Sequence, residues 1–169
     1  MGYQLIETIE VGASPVSSVT FSAIPAEGVD LLLKMSVRSN RSNTVSGHGI
    51  RFNGDSTYGN YKFRVLQGTG SIVQAYSASA QSFIPCDIQP GGFATSNTFS
   101  NSTTLIANAF SSAKKNTSHQ VGWSDNSSTG YNSLVDGQYN PTTAISSITV
   151  FDTDASFVQY STFSLYSIS

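Results

Sequence analysis

The amino-acid sequence predicts an all-β fold, a jelly-roll-like antiparallel β-sandwich of about nine strands in one domain, residues 1–169. Three observations predict it: apolar and polar residues alternate in short runs, turn residues separate those runs, and no segment keeps the 3.6-residue period and the caps of a helix. Charged residues make up only 11% of the chain, but ten Phe and eight Tyr residues supply enough apolar area for a folded core.

The N-terminal part of the chain predicts a hairpin. Apolar residues recur on one face of Tyr3–Val11, and Val19–Ala23 alternates again. The sequence Gly12-Ala-Ser-Pro15 between them favours a turn. The two runs are therefore expected to pair with each other.

A basic sheet face is the clearest functional signal. The runs Leu31–Arg38, Ile50–Phe52 and Tyr61–Val65 each place apolar residues on one face and cations on the other. The segment from Leu31 to Cys86 carries a net charge of +5, against −7 for the rest of the chain. A face of this kind is typical of a surface that docks onto an acidic partner. The cations expected to contact that partner are Lys34, Arg38, Arg51, Lys62 and Arg64.

The rest of the chain predicts further short strands joined by turns and two longer loops. The strand-like runs are Ile72–Tyr76, Ser82–Ile84, Thr103–Ala107, Gln120–Trp123, Ala144–Phe151 and Ser156–Ile168. The segments Ser39–Gly49 and Asp125–Tyr139 are predicted to be loops, where a rigid β scaffold usually carries recognition residues.

The last strand-like run is apolar on both faces. One face carries Phe157, Phe163 and Leu165, and the other carries Val158, Tyr160, Tyr166 and Ile168. This pattern predicts a central strand whose second face is covered by another sheet layer or by another subunit. Tyr160 and Tyr166 are therefore predicted interface residues.

Few residues are capable of catalysis. The available bases are His48, expected in a loop, and His119, expected at a strand edge, and neither lies near a nucleophile-elbow motif. The chain is therefore expected not to be an enzyme, and a cell-wall hydrolase that uses His48 and Asp55 is kept as an alternative.

Cofactors, nucleic acids and membranes are not expected as partners. The single cysteine, Cys86, lies in an apolar context and is predicted to be a buried thiol, and no pair of His or Cys residues has metal-site spacing. Asp152-Thr-Asp154 is predicted to form a turn rather than a calcium site. Tyr61 and Phe63 lie on the face opposite the cations, which is wrong for a nucleic-acid stacking platform, and no run has the length of a membrane span.

Aromatic residues near the second predicted loop indicate an alternative function. Trp123, Tyr131 and Tyr139 lie among Ser, Asn and Gly residues, and an exposed Trp in this setting would form a platform for a host surface glycan. A core position for Trp123 is the other interpretation.

Several segments of the chain also support a family resemblance. They are Asp30-Leu-Leu-Leu, Ser36-Val-Arg-Ser-Asn-Arg-Ser, Gly49-Ile-Arg-Phe-Asn-Gly-Asp55 with Asn60-Tyr61, Ala94-Thr-Ser-Asn-Thr-Phe-Ser-Asn101, Ala144-Ile-Ser-Ser-Ile-Thr and Phe157-Val-Gln-Tyr-Ser-Thr-Phe-Ser-Leu-Tyr166. In these segments the chain resembles small virion structural proteins, of decoration or fibre type, of tailed bacteriophages, especially phages of aquatic bacteria. The resemblance implies a structural role on the particle and supplies no catalytic residues.

The expected function is a capsid decoration or cement protein on the outer surface of a phage virion. The basic face would dock onto an acidic surface of the major capsid protein, of a fibre protein or of a neighbouring subunit. Self-association into a homo-oligomer, by analogy a trimer, is also expected. The alternative is a receptor-binding or glycan-binding tip of a head or tail fibre that uses the aromatic residues around Trp123.

Overall fold

The computed structural model describes residues 2–125 and 130–169. These residues form twelve strands and no helix, so none of their segments is a membrane-spanning helix. The strands are β1 (Tyr3–Glu10), β2 (Ser18–Phe21), β3 (Asp30–Ser36), β4 (Val45–Phe52), β5 (Tyr61–Gly68), β6 (Val73–Gln81), β7 (Ile84–Pro90), β8 (Asn101–Ala107), β9 (Lys115–Ser124), β10 (Gly130–Tyr139), β11 (Ile148–Asp152) and β12 (Thr162–Ile168).

The strands form two antiparallel sheets, which confirms the predicted all-β sandwich. The large sheet has the order β1-β12-β3-β8-β9-β10-β5-β6, and the small sheet has the order β2-β11-β4-β7. Strand β7 of the small sheet contacts β5, β9 and β10 of the large sheet. The core lies between the sheets.

Strands β3 and β12 show how the sequence pattern builds this core. Leu31 and Leu33 of β3 are fully buried, as are Phe163 and Leu165 of β12, while the alternate residues point outward. Each such side chain contributes about 1.5–3 kcal/mol when it is fully buried. Strand β12 lies between β1 and β3, so the predicted central position of the last run is confirmed.

The predicted N-terminal hairpin is wrong. Strand β1 pairs with β12 in the large sheet, whereas β2 pairs with β11 in the small sheet. The segment between them, which contains Gly12 and Pro15, carries the chain from one sheet to the other. Its Val16 forms a bridge with Phe157 instead of closing a hairpin.

The second predicted loop is also wrong over most of its length. Residues Gly130–Tyr139 form β10, which pairs with both β5 and β9, and residues 126–129 lie outside the described part of the chain. The inward positions of β10 include Ser133 and Gly137, so the strand lacks the alternation of apolar and polar residues by which strands are predicted from sequence. The loop predicted over Ser39–Gly49 likewise ends early, because β4 begins at Val45.

Candidate functional sites on the outer sheet face and in the core

The large sheet has one face that points away from the small sheet, which we call the outer face. Three of the five predicted interface cations lie on it: Lys34 on β3, and Lys62 and Arg64 on β5, all exposed. Strands β8, β9 and β10 separate β3 from β5. At the usual strand spacing, Lys34 therefore lies about 19 Å from the other two cations. The outer face carries dispersed cations, with Asp30 and Asp136 on the same face, rather than a continuous basic ladder.

Arg38 does not belong to the outer face, and its predicted interface role is wrong. It follows the end of β3 and is buried, which lowers the pKa of its guanidinium. The guanidinium donates hydrogen bonds to the carbonyl oxygens of Gly92 (3.4 Å), Ala94 (2.8 Å), Thr95 (2.7 Å) and Thr98 (3.1 Å). Arg38 thus ties the segment between β7 and β8 to the end of β3.

Arg51 also lies away from the outer face. It belongs to β4 of the small sheet and is half-buried. Its Nε donates a hydrogen bond to the carbonyl oxygen of Ser82 (3.2 Å), and its guanidinium carbon lies 4.3 Å from the centre of the Phe151 ring. This arrangement is a cation–π contact that holds the side chain against its own sheet.

Apolar side chains cross four neighbouring strands of the outer face. The register aligns Leu5 of β1 with Tyr166 of β12, Tyr166 with Leu32 of β3, and Leu32 with Leu105 of β8. Leu5 is 54% exposed and Leu105 is 38% exposed, with the two central members half-buried. We call these four residues the apolar row. Of these four residues, only Tyr166 was predicted from the sequence to be an interface residue.

On the next three strands, the residues in register with the apolar row are polar or charged. Leu105 pairs with Ser118 of β9, which is followed by Asp136 of β10 and Arg64 of β5. Asp136 and Arg64 lie directly opposite each other beside a shallow depression of about 350 Å³. An acid and a base in this position favour pairing across the strands.

Tyr160, the second predicted interface tyrosine, lies in the turn before β12 rather than in the strand. It is 63% exposed and has a positive φ of 70°. Its side chain is accessible to a partner, and its interface role stays a prediction.

The predicted aromatic platform does not form. Trp123 and Tyr139 are buried, with 8% and 2% of their surface exposed. Trp123 packs against Tyr131, with ring centres 5.6 Å apart. Tyr131 and Tyr139 lie toward opposite ends of β10, about 26 Å apart at the usual rise per residue. The structure places Trp123 in the core, in agreement with the other interpretation of the sequence.

Tyr139 belongs instead to a group that we call the tyrosine–aspartate cluster, formed by the buried Tyr61 and Tyr139 and the half-buried Asp55. The Tyr139 hydroxyl donates to Asp55 Oδ2 (3.1 Å), and the Tyr61 hydroxyl donates to the Asp55 carbonyl oxygen (2.9 Å) and accepts from the Phe52 amide (3.1 Å). Burial alone raises the pKa of Asp55, but hydrogen bonds from Thr57 and then from its other partners lower it overall. Burial raises the pKa of Tyr61 to about 12.

A second buried group brings together His48 of β4, Cys86 of β7 and His119 of β9, and we call it the histidine–cysteine cluster. One potential ligand atom from each residue lies within 4.8 Å of the other two, and all three residues are buried. The expected loop position of His48 is wrong, because His48 lies within β4. The expected strand-edge position of His119 is also wrong, because β9 is an interior strand of the large sheet. The predicted burial of Cys86 is confirmed.

Three of the four ring nitrogens of this cluster lack a hydrogen-bond partner among the residues that the structure describes. Neither nitrogen of His48 has one, and only Nδ1 of His119 does, at 2.7 Å from Thr104 Oγ1. The main chain of Cys86 lies close to the His119 ring and favours the charged form of that ring. The Cys86 main chain nevertheless makes no hydrogen bond of ordinary geometry to His119 Nε2. Burial lowers the pKa of His48 and of His119 to about 3, and burial raises the pKa of the Cys86 thiol.

The two residues of the hydrolase alternative are not hydrogen-bonded to each other. Asp55 accepts hydrogen bonds from Thr57, Asn60 and Tyr139, and His48 is not among its partners. Asp152 accepts from the amides of Asp154 and Ala155, which is the predicted turn.

Comparisons of this chain with protein-family models, with curated proteins and with solved structures found no match. The resemblance to phage virion proteins therefore stays a prediction from sequence. The geometry of the outer face and of the two clusters is the basis for the proposals that follow.

Proposed function

We propose that the protein is a non-enzymatic structural protein of a tailed-bacteriophage virion, a decoration protein that binds the outer surface of the capsid through its outer face. The observation that carries this proposal is the apolar row, four neighbouring side chains in register on a solvent-facing sheet surface. Contiguous exposed apolar surface of this kind marks interaction sites on soluble proteins.

Charges of both signs border the apolar row on β3. Lys34 and Asp30 each lie two residues from Leu32 on the same face of the strand, so a cation borders the row on one side and an acid on the other. Apolar residues at the centre of an interface supply most of its affinity, and charges at its rim supply orientation and rate of association. The partner is therefore expected to present an apolar patch with an acidic residue opposite Lys34.

The strand order supports the jelly-roll part of the proposal. Along the chain, β2, β4, β7 and β11 enter the small sheet, while β3, β5 and β6, and then β8–β10, enter the large sheet. The chain of an eight-stranded jelly roll crosses between its two sheets in the same sequence. The one difference is that a jelly roll has a single strand at the place where this chain has the three-stranded meander β8–β10. Jelly rolls are common among viral capsid and lectin domains.

The free edge of the large sheet supports self-association, for which a trimer is our proposal. Strand β6 contains no charged residue and no proline, although edge strands are usually protected by such residues. Val73 of β6 is 78% exposed, and the neighbouring Leu66 and Leu134 are about half exposed. A second copy that pairs with this edge would cover Val73.

Electron cryomicroscopy of the virion that carries this protein tests the proposal directly. We expect density for the chain on the capsid shell, with the outer face toward the shell and copies related by three-fold symmetry. Density at a fibre tip would contradict the decoration role, and absence of the chain from purified particles would contradict any virion role.

A binding assay with isolated capsids then tests the surface. We expect the double substitution of Leu32→Asp and Leu105→Asp to reduce capsid binding at least tenfold, because it places acids in the centre of the contact. Phe93→Asp is the matched control, since Phe93 is 72% exposed outside the sheets. Equal binding of the double variant and the control would rule out the outer face as the contact.

A further inference from the structure

We propose that His48, Cys86 and His119 form a buried mononuclear site for a thiophilic transition-metal ion, and that the site prefers Cu⁺ to Zn²⁺. A thiolate and two imidazoles are the ligands that copper and zinc take in proteins. This inference goes beyond the proposed virion function and does not depend on it.

The cluster has the arrangement of a staple between the two sheets. His48 and Cys86 come from neighbouring strands of the small sheet, and His119 comes from the middle of the large sheet. Metal–ligand bonds of about 2.0–2.3 Å place ligand atoms about 3.5 Å apart. The ligand atoms lie within 4.8 Å of one another, so side-chain movements of about 1 Å close the site.

A β-bulge aims His48 at Cys86. Gly47 pairs with Ile88 and Gly49 pairs with Pro85, so His48 alone faces two residues of β7, Cys86 and Asp87. Asp87 has a φ of 58°, the left-handed conformation found at such bulges. A Cβ atom on Gly49 would lie 2.5 Å from the Phe83 ring, so glycine at this position leaves room for that ring against β4.

The unpartnered nitrogens are the observation that points to a ligand. Buried polar atoms are almost always hydrogen-bonded, because an unpaired one costs about 1–3 kcal/mol of desolvation. Here three ring nitrogens of two histidines that are 99% buried have no partner within the described part of the chain. The tautomer of His119 that donates its Nδ1 proton to Thr104 leaves the Nε2 lone pair free for a metal ion.

Charge and ligand number favour Cu⁺. Binding replaces the proton of the Cys86 thiol, which leaves to solvent, and the thiolate, Cu⁺ and two neutral imidazoles then sum to zero charge. Zn²⁺ would leave one positive charge in the core, which is unfavourable when unpaired. Zn²⁺ also prefers four ligands, whereas the cluster supplies three within the part of the chain that the structure describes.

A cleft lies beside one member of the cluster, so an ion that enters it needs only a local side-chain movement to reach the ligands. The cleft has a volume of about 460 Å³, and His48 lies in its wall. Its other polar lining includes Gln67, Tyr76 and Asp87, and the Asp87 carboxylate accepts hydrogen bonds from the other two (2.9 and 3.0 Å). Polar groups at the entrance and a buried thiol behind them suit capture of a cation from solution.

The first test needs no variant, because the chain has one cysteine. Metal-stripped protein is titrated anaerobically with Cu⁺ against a chromophoric chelator, and separately with Zn²⁺ and with Co²⁺ as an optical probe. We expect one Cu⁺ per chain, a thiolate-to-metal charge-transfer band with Co²⁺, and a rise in Tm of roughly 5 °C at a hundredfold excess of Cu⁺ over its Kd. Tighter binding of Zn²⁺ would overturn the stated preference.

Variants then assign the ion to the cluster. Cys86→Ala and His119→Gln should each lower Cu⁺ affinity at least a hundredfold, while Ile84→Val, a similar core change on the same strand, should leave it unchanged. Metal-free Tm values identify any variant that fails to fold. Failure of folded wild-type protein to bind Cu⁺ or Zn²⁺ in the first test would overturn the proposal, and so would binding that survives Cys86→Ala.

Discussion

The tyrosine–aspartate cluster is partly buried and the histidine–cysteine cluster is fully buried, and they also differ in how their polar atoms are used. In the first cluster, both tyrosine hydroxyls and the Asp55 carboxylate take part in hydrogen bonds. In the second, three ring nitrogens have no partner among the described residues. A satisfied network stabilises the fold by itself, whereas an unsatisfied one is a cost to stability until a ligand occupies it.

The largest expected effect is on the satisfied cluster. Tyr61→Phe removes a hydroxyl that accepts from the Phe52 amide and donates to the Asp55 carbonyl oxygen, so both buried groups lose a partner. We expect the free energy of unfolding to fall by about 2–3 kcal/mol, measured by urea denaturation. The control is Tyr58→Phe, because Tyr58 is 74% exposed. A cost below about 0.5 kcal/mol for Tyr61→Phe would show that these hydrogen bonds are not the source of stability.

An effect of similar total size, spread over about two pH units, is expected at alkaline pH. The pKa of Tyr61 is about 12 in the folded protein and about 10 in the unfolded chain. The unfolded chain therefore loses its proton first, and the stability that Tyr61 provides is complete below pH 10 and declines as the pH rises from about 10 to about 12. The expected decline is about 1.4 kcal/mol per pH unit.

The slope of this decline distinguishes Tyr61 from the other tyrosines. Denaturation series at several alkaline pH values should show a shallower decline for Tyr61→Phe than for the wild-type protein. Parallel declines for the two proteins would mean that Tyr61 does not contribute to the alkaline loss of stability.

The smallest expected effect is on the unsatisfied cluster. In metal-free protein, His48→Leu replaces an unpartnered buried ring by an apolar side chain, so the free energy of unfolding should change by less than about 1 kcal/mol in either direction. The measurement is urea denaturation with a strong chelator present. A loss as large as that of Tyr61→Phe would show that His48 has a partner in the metal-free protein and would remove the contrast between the clusters.

Strands are predicted most readily from the sequence where their inward positions are apolar. Leu31, Leu33 and Met35 of β3 are an example, and the buried residues agree with the sequence pattern. Strand β10 escaped prediction because Ser133 and Gly137 point into the sandwich, and most of β9 escaped because Thr117 and His119 do. Polar residues in the interior weaken the sequence signal at the positions where the histidine–cysteine cluster forms.

The basic face could be predicted only in part, because alternation assigns a residue to one side of a strand but not to a particular sheet. Lys34, Lys62 and Arg64 share the outer face, but Arg51 lies on the other sheet and Arg38 lies beyond the end of β3. The three members of the histidine–cysteine cluster come from three separate strands. No local spacing could have revealed them, because only long-range strand pairing brings them together.

The position of β12 has a consequence for the order of events during synthesis. Strand β1 pairs only with β12 among the described residues, and β12 also forms one side of β3. The ribosome releases β12 long after β1 and β3, so the large sheet remains open at β3 until translation has passed Ile168. The sheet is therefore completed through contacts between distant parts of the chain, which form slowly. In the interval, the nascent protein has an apolar strand edge that a chaperone or a second nascent chain can bind.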